Sequence, residues 1–431
     1  MIGYLSYLLS YLEPGTLSQV PSATGTLIRS KDPYFWFITI VMARFTLPDI
    51  TAWVIFMIRP SMLFDTGSVL QNRPLVSVMI AGRNVAEGII PTIRSVLGCG
   101  YPNLEIIFVD DGSTDGSAMR ARSLEKTGRL RVFASTQHNG KPPSLNIGLS
   151  MARGDFLFIL DADCEVQYGC IDALLKPFED PLVGAVATNL RVRNARENIL
   201  TRFQECEYAM NVSISRLWRA RLGLLSILPG AGSMFRAKAM FALGGLDAGL
   251  GDDTDLTMRL RKARWKLRFA HDAVVWTDVP NQFGWLLRQR SRWARNMVKI
   301  RLHKQLDIGI PSRFGFSNML MTLDILITRT VIPILGFSMV TYYTLSMPLS
   351  RPLLLTGLYW IVIFLLGIRL LIANDIFRTP NLRTFWLWPI YPFYRLPIRV
   401  IELVSIIREL LGIYRWHPYV PKRIWDQTTH W

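Results

Sequence analysis

Two aspartates one residue apart close an apolar run in "FLFILDAD" (156–163). Buried side by side, Asp161 and Asp163 would cost several kcal/mol, because each charge loses water and faces a like charge. A divalent cation removes that cost: Mg2+ or Mn2+ takes hard oxygen ligands and bridges one or two carboxylates to substrate phosphates. Two solvated loop aspartates are the plain alternative. "VDDGSTDGS" (109–117) ends a second apolar run on Asp110 and Asp111. Acceptor oxygens there suit the N–H groups of a base or the hydroxyls of a ribose, although an Asp-Gly turn leading into a helix cap has the same spelling. "GDDTDLTMRL" (251–260) sets Asp252, Asp253 and Asp255 ahead of a helical pattern. The helix dipole accounts for acids at that end, and their crowding raises at least one pKa, as a general base requires. Crowding does not say which of the three titrates high. "NGKPPSLN" (139–146) lacks the glycine and Ser/Thr spacing of a P-loop, which leaves Lys141 as a partner for a phosphate or carboxylate, or as a solvated lysine. "QRSRW" (289–293) lies in a basic run just ahead of long apolar stretches. It reads either as the charged and aromatic border of a membrane span or as a site for a phosphorylated ligand.

These side chains need a frame. From about 70 to 280, short β-branched runs alternate with amphipathic stretches. "VSVMIA" (76–81), "LEIIFVDD" (104–111), "RLRVFAS" (129–135) and "DFLFILDAD" (155–163) are predicted as buried parallel strands, with helices in "GIIPTIRSVLG", "SAMRARSLEKTG" and "PPSLNIGLSMARG" between them. The expected fold is α/β, a doubly wound sheet of the nucleotide-binding kind, in which ligands sit at the carboxyl ends of the strands. Asp110, Asp111, Asp161 and Asp163 fall at those ends.

The frame is attached to a membrane. Mean hydropathy is +0.24, and half of the residues are hydrophobic. Apolar stretches run from Pro33 to Pro60, interrupted by Arg44, Pro48 and Asp49, then from about 316 to 347 and from Leu353 to Ile372. Each is long enough to cross about 30 Å of hydrocarbon. The segment 384–412, studded with Pro, Arg and Glu, is expected to be an interfacial or bent helix or a further span, and residues 1–12 a short interfacial helix. Four regions follow: an interfacial and transmembrane region at 1–69, a cytosolic domain at 70–280, a basic interfacial region at 281–315, and transmembrane and interfacial helices with a cytosolic tail at 316–431. A net charge of +17 suits anionic lipid or phosphorylated ligands. Nucleic acid is not expected, because the charge lies beside apolar spans rather than on aromatic-rich soluble modules. The basic stretch 191–223 is expected to lie against anionic lipid. The four cysteines form no CxxC pair, the five histidines show no HExxH spacing, and no cleaved signal peptide is read at the N-terminus. A reducing compartment fits the middle of the chain. The surplus of Lys and Arg in 70–315 places that block in the cytosol, in a multi-pass protein of the plasma (bacterial inner) membrane.

In their order, these motifs resemble the membrane-embedded glycosyltransferases of family 2, the group of cellulose, hyaluronan and chitin synthases and nodulation chito-oligosaccharide synthases. The resemblance covers about 70–300. It implies a GT-A-like domain in which Asp110 and Asp111 contact the uridine of a UDP-sugar. Asp161 and Asp163 would hold Mg2+ or Mn2+, with Asp161 and Lys141 on the donor's diphosphate. Asp253, the last acid of "GDD", would be the catalytic base, and Gln289, Arg292 and Trp293 would close over the diphosphate. Gly230 in "PGAGSMFR" (229–236), Asp252 and Trp293 would line the acceptor. The family's first strand ends Pro-x-Tyr-Asn-Glu; here "AGRNVAEG" (81–88) keeps Asn84, with Glu87 as the nearest acid for a donor contact. The implied activity is inverting transfer to a growing polysaccharide, processive and coupled to export, with an export partner or a homo-oligomer as further company. One rival is a non-processive enzyme adding a single sugar to a lipid carrier, separable by product length. Another is a transporter with a nucleotide-binding domain, for which the spans are too few.

Overall fold

In the computed structural model, which describes residues 33–64, 70, 72–247, 251–346, 351–377 and 386–413, the four apolar runs become neighbouring parallel strands. These are β1 (Val76–Gly82), β2 (Leu104–Asp110), β3 (Leu130–Ala134) and β4 (Phe156–Asp161). Near-continuous burial of β1 and β4 is what a parallel sheet covered on both faces demands. Alternate side chains serve opposite cores: Val76, Val78 and Ile80 pack on one face with Phe156, Phe158 and Leu160, while Met79, Ala81, Leu157 and Ile159 pack on the other. Each of these side chains larger than alanine contributes about 1.5–3 kcal/mol on burial.

The second half of the sheet departs from a doubly wound parallel pattern. With β5 (Glu165–Val166), β6 (Val183–Val192), β7 (Gly232–Arg236) and β8 (Lys266–Thr277), the order is β3-β2-β1-β4-β7-β6-β8-β5. Strand β7 runs antiparallel to both β4 and β6, and β5 antiparallel to β8. Five residues led by a glycine, and a β6 with Thr188 and Asn189 buried inside it, carry little strand signal of their own. Pairing makes them strands: β7 lies between β4 and β6, and β6 between β7 and β8.

Register fixes what meets at the sheet's edge. Gly82 of β1 is level with Asp110 of β2, and Ala81 with Asp161 of β4. Leu160 is level with Gly232, so β7 starts where β4 stops, and the loop holding Gly230 lies beside Asp161.

Among the described residues, two helical stretches are long and apolar enough to cross a membrane, Phe316–Met339 and Tyr359–Phe377. The stretch read as an imperfect span is one helix, Pro33–Ile58, continuous through Pro48. Its two charges are matched across helices: Arg44 Nε donates to Asp324 at 2.7 Å, and Arg369 Nε to Asp49 at 2.5 Å. Asp324 also accepts from Arg219 at 3.0 Å. Buried ionisable groups persist when paired. Asp49 is 1% exposed, so Arg369→Leu strands a buried carboxylate and is expected to cost about 3–5 kcal/mol. The folded yield and melting temperature in detergent would fall, and Asp49→Leu in the same chain would restore most of the loss.

The stretch 191–223 is not one continuous helix. It comprises the end of β6, the helix Ile199–Glu207, a π-helical turn Tyr208–Ile214 and the helix Ser215–Arg221. Its apolar face is occupied by protein: Phe203, Cys206 and Met210 pack with Leu286, Leu370, Tyr391 and Tyr394. The C-terminal apolar segment forms the helix Tyr391–Leu410, which contains Pro397 and packs along the helix Phe283–Val298. The expected interfacial helix at 1–12 and the tail beyond 413 lie outside the described residues.

Candidate active site

The centre of the site is Lys141, the first residue of the helix Lys141–Met151. Its Nζ makes a short ion pair with Asp161 and donates to the Gly230 carbonyl at 3.3 Å. Lys141 loses hydration there, but the charges of Asp161, Asp252 and Asp253 outweigh that and raise its pKa, so it stays cationic. A Cβ on Gly230 would meet Lys141 Nζ at 3.3 Å and Asp253 Cβ at 3.7 Å. Lys141, Asp161, Gly230 and Asp253 therefore surround one point at the carboxyl end of β4. Gly230→Ala is expected to leave the melting temperature near normal, because the Lys141 tip can yield. Any reaction that uses the Lys141 charge should slow roughly tenfold as Lys141 is displaced from Asp161, an effect of misplaced charge of the kind that reaches 10²-fold per ångström.

Local sequence explains how Lys141 reaches that point. Asp111, 4% exposed, accepts from the Asn139 amide at 2.7 Å and the Gly140 amide at 2.9 Å, and its Oδ2 lies 2.7 Å from His138 Nδ1. Its carboxylate thus folds the 138–140 loop at a helix N-terminus. Gly112, at φ +71°, lets the turn lie against that loop; a Cβ would stand 2.8 Å from the Gln137 carbonyl carbon. Asp110, 3% exposed, accepts from the Ser113 amide at 3.3 Å and from its hydroxyl. Asn84, at φ +54°, accepts from the Thr114 amide at 2.9 Å, and its own amide donates to Ser113 Oγ at 2.8 Å. These bonds bolt the loop after β1 to the loop after β2. Glu87 is exposed on that loop, whose next residue, Gly88, lies against Asp163: a Cβ there would be 3.5 Å from the Asp163 Cα.

Asp163 sits at the rim beyond β4 and is exposed. Loss of hydration and the charge of Asp161 both push its carboxyl pKa up, and for a residue so placed the second is the influence that its position sustains. Together Asp161 and Asp163 offer hard oxygens and unbalanced negative charge on which the Lys141 ammonium already sits. Among the described residues, no group of three His, Cys, Asp or Glu side chains converges as a metal cage. Two carboxylates fit a divalent cation whose remaining ligands are substrate phosphates and water.

Asp252 and Asp253 open the helix Asp252–Lys262. Burial and the charge of Asp252 push the Asp253 carboxyl up to about 6, although the Thr254 amide donates to its Oδ1 at 2.7 Å. The Thr257 hydroxyl donates to the Asp253 carbonyl at 2.6 Å and accepts from the Leu228 amide at 3.0 Å, which ties this helix start to the loop of Gly230. Asp255 faces elsewhere: it is 2% exposed and accepts from Gln305 at 2.8 Å, with Lys304 at 3.0 Å. So the acidic triplet divides, two residues to the site and one to the packing of 299–309.

Gln289, Arg292, Trp293 and Asn296 share one face of the helix Phe283–Val298 by their spacing of three and four. Asn296 packs at the entrance of the acidic helix, where a Cβ on Gly251 would meet it at 3.3 Å. Arg292 and Gln289 are half-buried one and two turns earlier, and the Trp293 ring is exposed. Sequence reasoning passed over His138, Ser113 and Glu207. "HNGK" beside an acidic strand end was the only signal for the first, and the other two act through tertiary contacts.

The sequence model of glycosyltransferase-like family 2 matches residues 73–296. Curated relatives include the poly-beta-1,6-N-acetyl-D-glucosamine synthase of Staphylococcus aureus (strain COL), 28% identical over 271 residues, which cover 62% of this chain and 64% of that protein. The synthase of the same name from Staphylococcus epidermidis (strain ATCC 35984) is 28% identical over 222 residues, 51% of this chain and 54% of that one. The chain thus spans less than two thirds of the length of these relatives. Among solved structures, a mannosyltransferase from Pyrobaculum calidifontis in complex with GDP-Man and Mn2+ aligns with a TM-score of 0.58 at 18% identity, over 86% of this chain and 98% of that one. That likeness is one of fold.

Proposed function

Because the chain belongs to glycosyltransferase-like family 2, we propose that it is a membrane-bound inverting transferase that moves a sugar from a UDP-sugar to a growing β-glycan. UDP-N-acetylglucosamine is the first donor to consider, since the relatives at 28% identity are named as synthases of a polymer of that sugar. The observation that carries the reading is the meeting of Lys141, Asp161, Gly230 and Asp253 around one point at the end of β4.

An acceptor hydroxyl attacks the anomeric carbon, its proton passes to Asp253, and the bond from that carbon to the diphosphate oxygen breaks, releasing UDP. A carboxyl held at about 6 is ionised at neutral pH yet basic enough to take the proton. Lys141 and Arg292 face the charge that builds on the leaving diphosphate, where fixed cations in a partly dehydrated site count most. Asp161 and Asp163 would hold Mg2+ or Mn2+, which when bound supplies further neutralisation of the diphosphate. Asn84, Glu87 and Asp110 stand at the nucleoside end, and Asp111 contributes through the loop that carries Lys141. Gln289 closes over the diphosphate beside Arg292. Gly230 and Asp252 border the acceptor, for which Trp293 offers a flat apolar face.

Helices Phe316–Met339 and Tyr359–Phe377 support anchoring in the bilayer, with the sheet domain in the cytosol of a bacterial cell. Incubating the purified chain in detergent with a panel of UDP-sugars and Mg2+ or Mn2+, and following UDP release and product length, tests the reading. A ladder of glycan from UDP-N-acetylglucosamine is expected. A single glycolipid product would mean one transfer to a lipid carrier, and no release from any sugar nucleotide would defeat the proposal.

A further inference from the structure

Glu207, 5% exposed at the end of the helix Ile199–Glu207, gathers three segments on one carboxylate. Arg290 grips it with both ends of its guanidinium, Nη1 to Oε1 at 3.1 Å and Nη2 to Oε2 at 3.0 Å. Arg395 Nη1 donates to Oε1 at 2.8 Å, and the Tyr394 hydroxyl to Oε2 at 2.9 Å. Burial alone would push this carboxyl up, but the charges of Arg290 and Arg395 outweigh it and hold it at about 2, so it is an anion at any working pH. Arg290 belongs to the helix Phe283–Val298, and its guanidinium lies 4.5 Å from the centre of the Trp293 ring. The same helix is linked to Tyr391–Leu410 twice more, by Ser291 with Ser405 at 2.8 Å and by Arg295 Nε donating to Glu409 at 3.0 Å.

Holding two helices together does not require these charges. Apolar side chains of similar volume commonly do it as well or better than a buried ion pair. What a carboxylate forked between two guanidiniums adds is direction: it fixes the rotation of the Phe283–Val298 helix about its axis. That rotation decides where Arg292 and Trp293 point, because they lie two and three residues beyond Arg290.

We propose that Glu207 is a positioning residue which, through Arg290, sets the Trp293 ring and Arg292 over the transfer site, so that the sugar passes to the glycan rather than to water. The inference rests on the reading of Trp293 as part of the acceptor subsite. In the competing reaction water replaces the acceptor hydroxyl at the anomeric carbon, giving free sugar and UDP.

The experiment uses the full chain in detergent with UDP-N-acetylglucosamine and Mn2+, and measures UDP released alongside sugar incorporated into glycan. The ratio of the two does not depend on how much of the protein is folded. In Glu207→Gln, incorporated sugar per UDP should fall roughly tenfold, the scale of a catalytic group displaced by a fraction of an ångström, with the KM for the donor little changed. Glu207→Asp, which keeps the charge, should recover part of the ratio. Glu409→Gln cuts a link between the same helices without reaching Trp293, and should leave the ratio at its starting value. If Glu207→Gln does not fold, Arg290→Lys, which loses the two-pronged grip but keeps a cation, carries the same expectation. An unchanged ratio in the Glu207 and Arg290 variants, or an equal fall in Glu409→Gln, overturns the proposal. Absence of UDP release from the unaltered chain with every sugar nucleotide overturns the transferase reading itself, and this inference with it.

Discussion

Asp253→Asn is expected to bind UDP-sugar and metal as the unaltered chain does, and to turn over about 10²-fold more slowly or worse. That is the contribution of a general base, and asparagine keeps the shape of the side chain while losing the basic carboxylate that takes the proton. The pH profile adds a second signature. A base must be ionised, and Asp253 titrates near 6 because burial and Asp252 disfavour its charge. The rate should therefore climb with pH up to about 6 and level off above it, and the climb should vanish in Asp253→Asn. Stability should move the opposite way. A carboxyl whose pKa rises from 3.8 to about 6 on folding binds its proton more tightly in the folded state, so its ionisation costs that state roughly 3 kcal/mol above pH 6. Asp253→Asn should melt higher at pH 7.5, with the gain shrinking as pH falls from 6 towards 4. A variant with near-normal turnover would remove Asp253 from the role of base.

Chelation by EDTA is expected to abolish transfer, and re-addition of Mn2+ or Mg2+ to restore it. Asp161 and Asp163 present two like charges at one strand end, and Lys141 neutralises only the first of them directly. When a diphosphate enters, negative charge grows further, and one lysine with Arg292 cannot balance it at close range. Asp163→Asn, which removes a metal ligand but leaves the Lys141 contact intact, should raise the concentration of Mn2+ needed for half-maximal rate by about tenfold, the scale set by loss of about 1.4 kcal/mol of ligand binding. Full activity in excess EDTA would refute the metal assignment.

Much of this site was legible in the chain because it rests on strand ends. Apolar runs that stop at aspartates bring Asp110 and Asp161 to the same edge of the sheet, within one residue of register across β1, once the strands pair in parallel. The helical start at Asp252 could be read from residues alone, but the turning away of Asp255 to Lys304 and Gln305 could not, since it depends on where 299–309 packs. Asp111 illustrates the same limit. Its type and position suit a ligand contact, yet its oxygens meet His138, Asn139 and Gly140. Strand β7 escaped notice because five residues opening on glycine acquire strand character only beside β4 and β6. Basic residues in 191–223 suggested lipid, whereas the buried anion among them, Glu207, turns that segment towards protein. Composition records charge; it does not record which charges pair.

Where a metal and a nucleotide sit is decisive for the site. Mn2+ in a complex of this chain with UDP can be located by its anomalous scattering. The expected result is a single metal against the carboxylates of Asp161 and Asp163, with the diphosphate turned towards Lys141 and Arg292 and with Asp253 bordering the open side. A manganese ion bound away from both aspartates, or UDP lodged elsewhere on the sheet, would contradict it.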